Sequence, residues 1–453
     1  MSSPFFSDLL TSIAERGRSL LGLKDWSADP LQASAGLPDA CEALLSGRGE
    51  ASGAAIASEV LARYGCCDEA GRLAFFLMLA EKFGPDEKRL AAAVDAFQRN
   101  PGVTSEAELH FAAEPRRQEL FRRLNRTAGG TAALVRMRAD LLQIGRKDPL
   151  LAAVDRDFAH LLASWFNRGF LVLRRIDWST PASILEKIIR YEAVHAIKDW
   201  DDLRRRIDPS DRRCYAFFHP ALVDEPLIFV QVALTETIPS AIAPLLAVER
   251  PIARPDKART AVFYSISNCQ RGLDGISFGS FLIKQVVEEL RRELPRLETF
   301  VTLSPVPGFL RWLKGLDGSL PAEEAALVAR LGKGDWVGDA VATEALRKDV
   351  EALAASYFLH AKGPNGRPVD PVARFHLGNG ARLERINWPG DLSPKGLRDA
   401  AGLMVNYLYD LDAIEENHEA YANSREVIAS GGVKRLARGG ARPRLQVPAG
   451  SSN

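Results

Sequence analysis

The chain has 453 residues, of which 46% are hydrophobic and 26% charged, and its formal net charge is +1. That length suffices for two or three domains of ordinary globular composition. The near-neutral balance argues against a nucleic-acid footprint, and no run approaches the roughly 20 apolar residues of a spanning helix, so neither nucleic acid nor membrane is an expected partner. The five cysteines, Cys41, Cys66, Cys67, Cys214 and Cys269, have no metal-ligand spacing. An odd, scattered set points to a reducing compartment. The amphipathic stretch 5–23 carries Asp8 and Glu15, against a transit peptide, and the chain ends Ser-Ser-Asn rather than in a peroxisomal signal. The expected location is the cytoplasm.

Residues 1–165 are expected to be an all-α bundle. Apolar residues at three- and four-residue spacing predict helices over 54–64, 69–83, 86–99, 106–123 and 131–144. Gly129-Gly130 and Asp148-Pro149 punctuate them. This part holds no β-rich run and no catalytic constellation, which suggests a scaffold or an oligomer contact. Arg122, Arg123 and Arg126 read as a solvated helix face, and His110 and His160 as structural.

The pattern changes near Asn167. A strand is expected at 170–176, helices at 181–197 and 199–207, and strands at 215–218 and 227–233. Arg204, Arg205 and Arg206 are bracketed by Asp199, Asp201, Asp202 and Asp208, the pattern of an exposed, self-compensating face. His219, beside Pro220 in a loop, reads as structural. The stretch 260–290 then combines three features. Residues 261–267 are β-branched and aromatic and predict a buried strand. Residues 278–290 put Phe281, Leu282, Val286 and Leu290 on one helical face. Between them a turn holds Gly272, Gly275 and Gly279. Such a turn lets backbone N–H groups approach a phosphate, the helix start adds unsatisfied donors, and Arg271 adds a full charge.

A further strand at 299–303 leads to Ser304, where Pro305 and Pro307 stiffen the turn before a helix from about 308. The hydroxyl is well placed to meet a ligand, but from the bare sequence it reads as a cap for that helix. A helical insertion, 319–362, follows, with Leu327, Leu331, Leu346, Val350 and Leu353 as its apolar stripe. Residues 372–380 and 381–388 read as two strands around an Asn379-Gly380 hairpin turn, which would put His376 near the sheet's rim. Residues 394–411 read as a helix carrying Tyr407 and Tyr409. After Arg438 the composition predicts a disordered tail. The expected division is 1–165, 166–438 with its insertion, and 439–453.

The order β-α-α-β-β-β-α-β-α from residue 170 resembles the GNAT acyl-CoA-binding fold, in which a loop before a helix cradles the pyrophosphate of coenzyme A. In the corresponding stretch 270–279, Ser277 stands where the second small residue belongs and Arg271 comes one residue early. Seven short motifs, at 219–226, 263–267, 279–286, 303–309, 375–380, 385–388 and 402–409, resemble the malonyl-CoA decarboxylase family in order and spacing. Among them are Leu303-Ser-Pro-Val-Pro-Gly-Phe309, Phe375-His-Leu-Gly-Asn-Gly380 and Gly402-Leu-Met-Val-Asn-Tyr-Leu-Tyr409. The resemblance implies an α+β chain, with an N-terminal helical bundle followed by a GNAT-like mixed sheet flanked by helices.

It also implies catalytic Ser304, His376 and Tyr409, and coenzyme A binding by the loop Asp274, Gly275, Ile276, Ser277, Phe278, Gly279 and Ser280 next to Arg271. Some members carry an acidic residue where this chain has Ser277, so a carboxylate role does not transfer. The implied activity is a carboxy-lyase reaction taking malonyl-CoA to acetyl-CoA and CO2, with no metal or organic cofactor, in a homo-oligomer, a tetramer. In it His376 would protonate the thioester enolate and Ser304 would hold the malonyl group. A covalent acyl-serine route stays open. Two other readings differ in class. A GNAT-type N-acyltransferase needs an acceptor amine and a base, and an acyl-CoA sensor binds without turnover.

Overall fold

The computed structural model describes residues 30–46, 50–145, 148–276, 282–316 and 322–439. The amphipathic stretch 5–23, the start of the helix expected from 278, and the tail after Gly439 lie outside them. The described chain forms two compact units, one of residues 1–171, 219–223 and 270–278, the other of the remainder.

The first unit is helical. Its helices are α1 (Pro30–Ala35), α2 (Leu37–Leu45), α3 (Glu50–Cys66), α4 (Glu69–Lys82), α5 (Glu87–Arg99), α6 (Val103–Ala113), α7 (Arg116–Asn125), α8 (Gly130–Ile144) and α9 (Pro149–Trp165). Aspartates start three of them: Asp68, Asp86 and Asp148 accept backbone N–H groups of Gly71, Arg89 and Leu150, satisfying donors that a helix start leaves free. The single helix expected over 106–123 is two, α6 and α7. Pro115 has no N–H to continue the ladder and forces Glu114 into extended backbone. In the core Phe121 stacks on Phe158 with centroids 4.0 Å apart. Beside them Arg117 pairs with Asp157 at 2.5 Å, and Gln118 adds a second bond to that carboxylate. The arginines of α7 are compensated in place, Arg122 by Glu114 and Arg123 by Glu119.

The second unit is built on one mixed sheet. It contains β1 (Val172–Ile176), β2 (Arg212–Phe218), β3 (Pro226–Thr235), β4 (Thr260–Asn268), β5 (Thr299–Thr302), β6 (Ser304–Pro305), β7 (Arg382–Asn387) and β8 (Met404–Leu408). The order is β1-β2-β3-β4-β5-β8-β6, with β7 beside β8. Neighbours run antiparallel except β4 and β5, which are parallel. This is the strand succession expected of the GNAT-like fold. Helices α10 (Ala182–Tyr191) and α11 (Trp200–Ile207) cover one face, packing Ile184, Ile188 and Leu203 against Cys214, Ala216 and Phe229. Arg206 is buried, not exposed. It pairs with Asp202 at 3.0 Å and donates to the carbonyls of His195 and Ala196.

Helix α12 (Leu282–Glu293) connects the parallel strands β4 and β5; past them come α13 (Phe309–Gly315), the helical insertion of α14 (Ala322–Lys333) and α15 (Ala340–His360), then α16 (Pro371–Gly378), α17 (Pro394–Ala400), α18 (Ile414–Ser424) and α19 (Gly431–Gly439). Two expectations fail here. Residues 372–380 are no strand of a hairpin but the helix α16. Asp370 caps it by accepting the Ala373 N–H, and Pro371 fits its first turn. Gly380, at φ +80, ends it. The helix expected over 394–411 stops at Ala400, because Ala401 and Gly402 both take positive φ, and β8 follows. Val405, Tyr407 and Tyr409 alternate as strand residues do, so both tyrosines point to one face.

Candidate active site

The sheet opens where β4 loses its partner. The parallel pairing of β4 and β5 covers only Thr260–Phe263 against Thr299–Thr302. Beyond it the chain turns away at Leu303 into β6, which pairs with β8 instead. A bulge puts Tyr264 out of register with β3 at the same point. The second half of β4, from Tyr264 onward, thus has no ladder partner on that side among the described residues. A cavity of about 230 Å³ lies there, lined by Tyr264, Ile266 and Asn268 of β4, by Val194, and by residues of β6 and α16.

At its wall three side chains meet that the sequence scatters over more than a hundred positions. Ser304 Oγ lies 3.2 Å from His376 Nε2, and His376 Nδ1 lies 2.8 Å from the Tyr409 hydroxyl. Each is placed by a different element: Ser304 by β6, His376 by α16, Tyr409 by the residue after β8, whose N–H bonds to the Phe300 carbonyl. The Ser304 hydroxyl donates to Thr302 Oγ1 at 2.9 Å, so it does not cap α13. Thr302 Oγ1 also accepts the Tyr407 N–H. With the serine proton committed to Thr302, Ser304 Oγ accepts from His376. The network therefore puts the imidazole proton on Nε2, and Nδ1 accepts the Tyr409 O–H.

Burial sets the charges. His376 is 3% exposed and desolvation pushes its pKa down to about 3, so the ring is neutral. Burial also pushes the Tyr409 phenol well above its ordinary value, so it keeps its proton. The imidazole stacks on the Tyr407 ring at 4.6 Å and 25°. Behind it, Asp370 accepts the Ala373 N–H at 2.8 Å and the Tyr357 hydroxyl at 3.3 Å. Asn406 Nδ2 donates to the Thr302 carbonyl at 2.7 Å and ties β8 to β5. Sequence reasoning missed Thr302, Asp370 and Tyr407. The Asp-Pro helix start at 370–371 and the buried spacing 373, 376, 377 were the available signals for α16.

The glycine turn belongs to the first unit. Arg271–Leu273 forms one 3₁₀ turn, Arg271 and Asp274 are exposed, Ile276 is buried, and Gly275 sits at φ +76. Ser277, Phe278, Gly279 and Ser280 lie outside the described residues. His219 is in the same unit. It packs on Phe166 and accepts the Ala221 N–H at Nδ1. Among the described residues no three His, Cys, Asp or Glu side chains group closely enough to hold a metal ion. No helix among them is long and apolar enough to cross a membrane.

A mixed sheet that opens beside a buried serine–imidazole–phenol chain, with a helical region before it, defines an α+β protein of the acyl-CoA decarboxylase class. Comparison with known proteins gives the family. Residues 169–447 match the malonyl-CoA decarboxylase C-terminal domain and residues 83–166 its N-terminal domain. The mitochondrial malonyl-CoA decarboxylase of Anser anser anser is 37% identical over 389 residues, 78% of this chain and 77% of that one. The Mus musculus protein is 37% identical over 405 residues, 81% and 82% of the two chains. Among solved structures, malonyl-CoA decarboxylase from Rhodopseudomonas palustris is 59% identical with a TM-score of 0.86, over 89% of this chain and 99% of that one. The Agrobacterium vitis structure is 56% identical with a TM-score of 0.84, over 88% and 99%. The chain belongs to the malonyl-CoA decarboxylase family.

Proposed function

We infer that this chain is a carboxy-lyase that converts malonyl-CoA to acetyl-CoA and CO2, with His376 as the proton donor. The observation that carries the reading is a cavity with no charged side chain among its described lining residues, walled by Phe263, Ile266 and Phe375 and edged by Asn268, Ser304 and His376. A volume of about 230 Å³ suits a short acyl group. A malonyl carboxylate held against that apolar wall, without a cation among the described lining residues, gains by spreading its charge into the thioester as the C–C bond breaks. The bond's electron pair passes to the thioester carbonyl, leaving CO2 and an enolate. The thioester is thus its own electron sink, and the reaction needs neither a metal nor an organic cofactor.

The chain's own groups then handle one proton. On substrate binding the Ser304 hydroxyl turns its proton from Thr302 to a malonyl oxygen and fixes that group so that the breaking bond stays aligned with the carbonyl π system. His376 gives its Nε2 proton to the enolate carbon, and the Tyr409 O–H on Nδ1 supports the charge that develops on the ring. Solvent restores the proton, so one is taken up per turnover. A neutral imidazole with a pKa near 3 is a poor base for a serine, and the serine proton points to Thr302. Both features favour this noncovalent route over an acyl-serine.

Phosphate binding by the loop Asp274–Ser280 next to Arg271, a homotetrameric assembly through the helical region, and a cytoplasmic location complete the proposal. The five cysteines are all free thiols, as a reducing compartment allows. Purified protein with malonyl-CoA and no acceptor should release CO2 and acetyl-CoA in equal amounts. Release of free coenzyme A only when an amine is added would instead mark an acyltransferase.

A further inference from the structure

The glycine turn is held from behind by one buried arginine. Arg138, on α8, is 4% exposed. Its Nη1 donates to the Gly272 carbonyl at 2.8 Å and to the Asp274 carbonyl at 2.9 Å, while Nε donates to Asp155 on α9 at 2.7 Å. Gly272 lies so close to α8 that a Cβ there would stand 1.8 Å from the Val135 carbonyl oxygen. The loop is therefore pressed on the helix with no room for a side chain.

The backbone that follows is a tight turn. The Ile276 N–H bonds to the Leu273 carbonyl at 3.0 Å. Asp274 has φ −57 and ψ 130, and Gly275 has φ +76. These are the dihedrals of a type II turn, which needs glycine at its third position. Type I and type II turns differ by a flip of the central peptide, here the one joining Asp274 to Gly275. A trans peptide carries its C=O and N–H on opposite sides. With the Asp274 carbonyl drawn to Arg138, the Gly275 N–H faces away from α8. A flip to type I would present the carbonyl oxygen there instead.

We propose that Arg138 is a positioning residue for coenzyme A: by holding the Asp274 carbonyl it selects the turn that offers an N–H, rather than an oxygen, to an anionic phosphate group. The proposal rests on the coenzyme A reading of this loop. It gives the helical region a part in substrate binding. Arg138 itself stays behind the loop, paired with Asp155.

The test compares three variants of the full chain. Arg138→Met keeps the length and loses the donors. Arg138→Lys keeps a cation beside Asp155 but replaces the planar fork by a single ammonium. Gly275→Asp asks whether the loop binds coenzyme A at all. Calorimetric titration with coenzyme A should show roughly tenfold weaker binding for Arg138→Met, the worth of one charge-assisted hydrogen bond, with a smaller loss for Arg138→Lys. KM for malonyl-CoA should rise in step while kcat stays within about twofold. Turnover of malonyl-pantetheine, which has no phosphate, should be unchanged. If Gly275→Asp weakens coenzyme A but both Arg138 variants bind it normally, the role of Arg138 is overturned and the loop reading stands. If Gly275→Asp also leaves binding unchanged, the loop reading itself has failed. An equal fall for malonyl-CoA and malonyl-pantetheine makes Arg138 a fold residue and overturns the proposal. Should Arg138→Met not fold, Arg138→Lys decides the matter by the same readings.

Discussion

His376 is held neutral by the protein around it, and that neutrality sets its chemistry. If it is the proposed proton donor, His376→Asn should lose roughly 10²–10⁴-fold in turnover, with little change in malonyl-CoA affinity. Ser304→Ala should lose turnover as well. The double variant should fall well short of the product of the two losses, because both groups act on one transition state. Acid quench during turnover followed by intact-mass measurement should show an unmodified chain; a malonyl or acetyl adduct on Ser304 would sink the noncovalent route. The pH dependence follows from burial. His376 and His195 have folded pKa values near 3 and 4 against an ordinary 6.5, both lowered chiefly by desolvation. Below 6.5 the unfolded chain therefore binds protons that the folded chain refuses. Their stabilising contribution is complete above 6.5 and is lost as pH falls toward 4 and then 3. The thermal midpoint should drop between pH 6.5 and 4, less steeply in His376→Asn. A slope identical to wild type would show that His376 is not buried neutral. kcat should have no limb at 6.5 assignable to this histidine.

Helix α16 carries His376, and its two ends determine where the imidazole stands. Asp370 is 1% exposed and caps the start while accepting the Tyr357 hydroxyl. Asp370→Ala should cost about 1–2 kcal/mol in urea unfolding, from the lost cap and the orphaned hydroxyl. It should also lower kcat at least roughly tenfold by loosening the imidazole, since small misplacements of a catalytic group are costly. Asp370→Asn, which can still cap, should lose much less of both. Wild-type kcat in Asp370→Ala would show that β8 alone positions the ring. At the other end Gly380 has φ +80, and a Cβ there would meet the Ile414 carbonyl oxygen at 2.0 Å. Gly380→Ala should destabilise by more than about 1 kcal/mol, since neither the dihedral nor the space admits alanine. An unchanged urea midpoint would mean that α18 yields freely.

At the scale of the whole molecule the helical region shows apolar surface with no chemistry attached. Val103 and Phe111 of α6 are 85% and 63% exposed, the kind of surface that subunit contacts cover. The intact protein should sediment as a tetramer at micromolar concentration. A truncation beginning near Asn167 should form smaller assemblies or lose solubility. A full-length chain that sediments as a monomer removes the idea. Phe111→Asp should shift the intact protein toward smaller species if α6 takes part.

The elements with one strong local signal were legible in the sequence. The amphipathic helices, the β-branched run 261–267 and the glycine turn announce themselves by periodicity or by residues with special backbone freedom. Ser304, His376 and Tyr409 were named from motif resemblance. Their local settings were misjudged for the last two, because Val372–Gly380 and Met404–Tyr409 are short apolar stretches that suit helix or strand equally well. The sheet and the local backbone together resolved that ambiguity: β7 pairs β8 antiparallel, while Asp370 caps α16 and positive φ at Ala401 and Gly402 releases the chain into a strand. Sequence spacing could not show that the serine proton goes to Thr302, that the imidazole is neutral, or that Arg138 orients a turn 136 residues away. Direction of hydrogen bonds, desolvation and the flip of a peptide are set by neighbours in space, and those neighbours meet only once the chain has folded.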